Sequence, residues 1–199
     1  MLFFPLAGRI TDTIPAHIPI STGLFIFSIG FFLIHAIDVD TTFWLLVGYT
    51  AITRVGLSLC IPSLNVAALR AVPPEKLARG ASTSTFFRNT GGGIGIAVLT
   101  AFFQYRTQLH GEAFAATQTS ANHTTVAFLE ATQRLLDTAG INSAAQALAA
   151  LNYLSQSILA QASTLGFKDT FLAIAIMSLL ATIPALLLGN SGRGKLGAK

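Results

Sequence analysis

Four long stretches of this chain have almost no charge, and that restricts the fold more than any other feature. Residues 18–37 carry no formal charge, and residues 43–69, 83–105 and 170–189 carry only Arg54 and Arg88. A bilayer crossing needs about 20 mostly apolar residues. A soluble helix normally keeps one face for water, so it is rarely apolar on every side over such a length. Four such stretches specify an all-α integral membrane protein with four transmembrane helices. Composition agrees: 10% of residues are charged and 52% hydrophobic, against about 25% charged in soluble domains.

The connections between these stretches alternate in charge. Residues 8–17 carry Arg9, residues 70–80 carry Arg70, Lys76 and Arg79, and residues 190–199 carry Arg193, Lys195 and Lys199. The short link after the first stretch holds Asp38 and Asp40 and no basic residue. Lys and Arg are retained on the cytoplasmic side. The expected topology is therefore multi-pass in the cell (cytoplasmic) membrane, with both termini cytoplasmic and residues 106–169 outside. The net charge of +4 reflects loop charges scattered along the chain, not the clustered patch that nucleic acid requires. Residues 1–7 are apolar with no basic region before them, which excludes a signal peptide. They read as the end of a helix whose beginning is missing.

Residues 106–169 are rich in Ala, Thr, Ser and Gln. Leu148, Leu151, Leu154, Ile158, Ala162 and Leu165 recur every three or four positions and mark one apolar helix face. Ser143 with Gln146 has capping-box spacing at its start, and Gly166 suits its end. A weaker helix covers about residues 125–138, with Gly140 and Asn142 breaking the pair. A helical hairpin on the outer face is expected. Packing on neighbouring helices is its simpler role, and docking of a periplasmic adaptor is the alternative.

Little chemistry lies within the spans. Arg54 is deep in the second one, where a charge costs about 2.5–3.5 kcal/mol unless it meets a cavity or partner. It either borders a translocation path or tunes a proton-titrating carboxylate, or else it snorkels or pairs structurally with a helix outside this chain. Arg88 reads more readily as a snorkelling anchor, and Asn65 and Asn89 as interhelical hydrogen-bonding groups. Gly91, Gly92 and Gly95 give the third span a bare face on which another helix can pack closely. Phe25, Phe27, Phe31 and Phe32 read as lipid or core contacts, and Trp44 and Tyr105 as interfacial anchors. No Asp or Glu lies in any span. The four histidines lack metal-ligand spacing, Cys60 has no partner cysteine, and no nucleophile has a visible base. An enzyme, a metal site and a cofactor are accordingly not expected.

The segment Ala81-Ser82 … Arg88 … Gly91-Gly92-Gly93-Ile94-Gly95-Ile96-Ala97 resembles the fourteen-helix multidrug–proton antiporters (EmrB/QacA type) of the major facilitator superfamily. Pro5-Leu6-Ala7-Gly8-Arg9-Ile10-Thr11-Asp12 resembles the cytoplasmic loop between the second and third helices of a major-facilitator half. Gly8 and Asp12 match that loop's signature, and the positions after them lack its basic residues and second glycine. The resemblance implies that the four spans are helices eleven to fourteen of a partial major-facilitator bundle. It implies a C-terminal portion of a proton-coupled exporter of hydrophobic or cationic drug-like compounds. Its partners would be the lipid bilayer and the missing N-terminal half, with Arg54, Asn65 and Arg88 as transport-path candidates. The alternative is a small four-helix membrane subunit that works by assembly.

Overall fold

The computed structural model describes residues 14–37 and 41–193. Gly8 and Asp12, and with them the opening loop motif, lie outside the described residues. Among the described residues all regular structure is helical. The helices are α1 (His17–His35), α2 (Phe43–Arg70), α3 (Leu77–Thr117), α4 (His123–Thr138) and α5 (Ser143–Arg193), with a 3-10 turn at Pro74–Lys76 before α3. Pro73 and Pro74 separate α2 from α3, because proline has no N–H to continue a helix and its ring crowds the preceding turn.

Among the described residues, three helices are long and apolar enough to cross a membrane: α1, α2 and the stretch Ser143–Leu187 of α5. The remaining expected span, residues 83–105, lies within α3 and is helical throughout. It is not among those three, because Arg88, Asn89 and four glycines dilute its apolar character. Both α3, with 41 residues, and α5, with 51, are at least twice as long as the roughly 20 residues a crossing takes.

The chain divides into two compact units, Met1–Val98 with Thr170–Lys199, and Leu99–Asp169. In the first unit, the buried residues of α1 and α2 are mostly small: Ser21, Gly23, Ser28 and Gly30 on α1, and Thr53, Gly56, Ser58 and Ser63 on α2. Large side chains face outward instead, with Phe32, Trp44, Phe86, Phe87 and Ile96 each more than half exposed. A water-soluble core is the reverse. Lipid removes the hydrophobic drive between helices, so they associate through small residues that let backbones approach.

The α1–α2 contact shows how close that approach is. A Cβ on Gly23 would sit 2.7 Å from the Gly56 carbonyl oxygen, and one on Gly56 would sit 2.6 Å from both the Gly23 oxygen and the Phe27 nitrogen. The buried hydroxyls satisfy themselves locally: Ser21 donates to the His17 carbonyl, Thr53 to Thr50, Ser58 to Val55 and Ser63 to Leu59, all at 2.7–2.8 Å. Ser28 differs, donating to the Ala175 carbonyl of α5 at 2.8 Å. Phe31 meets Phe171 of α5 with ring centroids 5.8 Å apart, so α1 sits against both α2 and the final part of α5.

In the second unit, α3 and α5 run antiparallel. Phe103 packs on Phe167 with centroids 4.3 Å apart, and Gly111 faces Ala162. Asn122 caps α4 by accepting from the Thr124 N–H at 3.0 Å. Gly140, with φ 76°, turns the chain out of that helix. Asn142, not Ser143, caps α5, accepting from the Ala144 N–H at 3.1 Å. Gly166 does not end α5: the helix continues to Arg193.

Candidate functional site

Among the described residues of the first unit, α2 forms the wall between two cavities. The larger is about 720 Å³ and lies between the second half of α2 and the first half of α3. From α2 it takes Leu64, Asn65 and Ala68. Its other wall is built from Lys76, Arg79, Gly80, Thr83, Ser84, Phe87 and Arg88. These positions recur every three or four residues, which places them on one helix face. The floor is tight where the helices join, since a Cβ on Gly80 would meet the Val72 side chain at 2.8 Å.

The second cavity, about 510 Å³, lies between α1, α2 and α5 and is almost wholly apolar. Ile20 and Leu24 come from α1, Cys60, Leu64 and Ala67 from α2, and Ala181, Pro184 and Ala185 from α5. Pro184 has no N–H for the helical bond to the carbonyl four residues back. Leu64 and Ala68 line both cavities. Volume and lining match what small apolar ligands need, since ligand pockets usually run to some 300–1,000 Å³ with few polar groups.

The fold brings some of the sequence-derived candidates together and separates others. Asn65 and Arg88 line the same larger cavity, joined by Lys76 and Arg79. Arg54 lies elsewhere: it is exposed, and among the described residues it has no ion-pair or hydrogen-bond partner. Gly91, Gly92, Gly93 and Gly95 have nothing within 4 Å of a notional Cβ, so no described helix packs on them. The close glycine packing occurs instead at Gly23, Gly30 and Gly56, positions that sequence reasoning passed over. The signal for them was present on α2, where Thr53, Gly56, Cys60 and Ser63 keep small residues at helical spacing.

A second cluster, also unforeseen, lies in the other unit. Asp169 Oδ2 accepts from Arg106 Nε and from His110 Nε2, each at 2.7 Å. The three side chains are only 22–32% exposed. Burial pushes the Asp169 carboxyl up, but the hydrogen bonds from His110 and Arg106 and their positive charges outweigh it and hold the group below its ordinary value. Arg106 and His110 are four apart on α3 and so share a face. Beside them the Thr107 hydroxyl is buried with no hydrogen-bond partner among the described residues. No three His, Cys, Asp or Glu side chains among the described residues converge as a metal site.

The multidrug transporter protein MdtP of Bacillus subtilis (strain 168) is 32% identical to this chain over 101 residues. That likeness covers 51% of the chain and 19% of the relative's length. No protein-family model and no solved structure matches.

Proposed function

We propose that this chain is the C-terminal part of a multidrug efflux transporter of the major facilitator type, driven by protons and working in the cytoplasmic membrane. The observation that carries the proposal is the 32% identity to a protein named as a multidrug transporter. The helices support it: apolar spans packed through small residues, with a cavity of about 510 Å³ lined by Leu24, Leu64 and Pro184. In this reading α3 supplies a fourth crossing, and Gly91, Gly92 and Gly95 face a helix that the chain does not contain. The apolar cavity takes the hydrophobic body of a drug. The rest of the transporter supplies the second half against which these helices rock.

Proton coupling needs a titratable group in the path, and no Asp or Glu lies in residues 18–37, 43–69, 83–105 or 170–189. We assign coupling to the remaining helices and give Arg54 the role of partner to a carboxylate there. The test is Arg54→Leu in the complete gene, expressed in an efflux-deficient bacterial host. Loss of resistance to a cationic dye with unchanged membrane abundance is expected. Unchanged resistance would remove Arg54 from the mechanism.

A further inference from the structure

The larger cavity has a chemistry that export of cationic drugs does not explain. Lys76, Arg79 and Arg88 all line it, and no carboxylate does. None of the three has an ion-pair or side-chain hydrogen-bond partner among the described residues. Uncompensated like charges gathered on one face repel each other and any cationic ligand, and they attract an anion. Asn65, Thr83 and Ser84 add hydrogen-bond donors on the same walls. Leu64 and Phe87, 54% and 68% exposed, leave an apolar edge open beside them.

The cations are placed along the helix in a useful way. Arg79 and Arg88 are nine residues apart, which is about 13 Å along an α-helix. Helical side chains lean toward the N-terminus, so Arg79 and Arg88 both lean toward the α2–α3 connection that holds Lys76. Lys76 lies in the connection between α2 and α3, where a chain leaving a membrane span meets the headgroup layer. Basic pockets between membrane helices suit anionic headgroups.

We infer that this cavity binds the phosphate of an anionic phospholipid. Lys76 and Arg79 neutralise the phosphate, Arg88 adds positive charge farther along the same wall, Asn65, Thr83 and Ser84 offer donors to the headgroup, and Leu64 with Phe87 holds the start of an acyl chain. Free phosphate shares the charge but gains nothing from the apolar edge, which is the reason for choosing the lipid. The inference rests on α2 crossing the membrane and not on what the protein transports.

The test uses the full chain in detergent micelles, with native mass spectrometry and thermal unfolding as readouts. Dioleoylphosphatidylglycerol, dioleoylphosphatidylcholine and inorganic phosphate are added separately. Phosphatidylglycerol should be retained at least about tenfold more than phosphatidylcholine and should raise the melting temperature. The triple variant Lys76→Gln/Arg79→Gln/Arg88→Gln should lose that preference, while Arg54→Gln, whose charge lies outside the cavity, should keep it. If the triple variant loses helicity, Lys76→Gln alone is read instead, with a two- to threefold weaker retention expected. Equal retention of the two lipids, or a preference unchanged in the variants, overturns the site. A thermal shift from inorganic phosphate as large as that from phosphatidylglycerol overturns the lipid as its source. Dye-export measurements are independent of these outcomes.

Discussion

Gly56 faces two backbone atoms of α1, the Gly23 oxygen and the Phe27 nitrogen, each 2.6 Å from where a Cβ would lie. Backbone cannot swing aside as a long side chain can, so a larger residue must push α1 and α2 apart. Overpacking of this kind costs about 1–3 kcal/mol, and Gly56→Val should lower the thermal stability of the chain in detergent accordingly. Gly91 has no such neighbour, and Gly91→Ala should leave stability unchanged or raise it by at most about 1 kcal/mol through helix propensity. A marked loss for Gly91→Ala in this chain alone would mean that a helix packs there after all. The same substitution in a complete transporter should be harmful if α3 meets a further helix at this face. Sequence reading saw Gly91 and Gly95 because they stand in a run. It missed Gly23 and Gly56 because a lone glycine in an apolar helix shows its use only when the neighbour is in place.

At the scale of elements, helices and most of their starts were legible, since apolar length and helical spacing are local properties. Their ends were less so. Glycine stops a helix by adopting positive φ, and Gly140 does so with φ 76°. Gly166 uses its missing side chain instead, letting α5 come within 3.2 Å of the Thr107 nitrogen and 3.3 Å of the Phe103 oxygen at the Cβ position. Composition cannot separate these two uses. Arg106, His110 and Asp169 were likewise invisible as a group, because 59 positions separate His110 from Asp169. Their charge pairing makes a pH prediction. The Asp169 carboxyl titrates lower in the folded chain than its ordinary value. Its ionised form therefore contributes stability that is fully present above about pH 4, the ordinary aspartate value, and is lost as pH falls through the lower folded value. Amide protection in α3 and α5 of this unit, taken relative to the intrinsic exchange rate at each pH, should fall below about pH 4 in the wild-type chain. In Asp169→Asn that region should already be less protected at neutral pH and should respond less to acid. Equal acid sensitivity in both would exclude Asp169 as the titrating group.

For the whole molecule, large exposed side chains and small buried ones agree with lipid as the solvent. The class of fold could be read because charge depletion and span length do not depend on how helices meet. The cavities could not, since they depend on which faces of α1, α2, α3 and α5 are brought together. The chain's calculated mass is 20.9 kDa. An antibody against residues 106–169 should detect a membrane protein more than twice that size in source cells if these helices belong to a full transporter. A product near 20.9 kDa would favour a small subunit that assembles with a partner. The most direct measurement is dye transport in inverted membrane vesicles prepared from cells expressing the complete gene. On acidifying the lumen, a cationic dye such as ethidium should accumulate inside, and a protonophore should abolish the uptake. Dye movement equal to that of vesicles lacking the protein would contradict the claim that these helices belong to a proton-driven multidrug exporter.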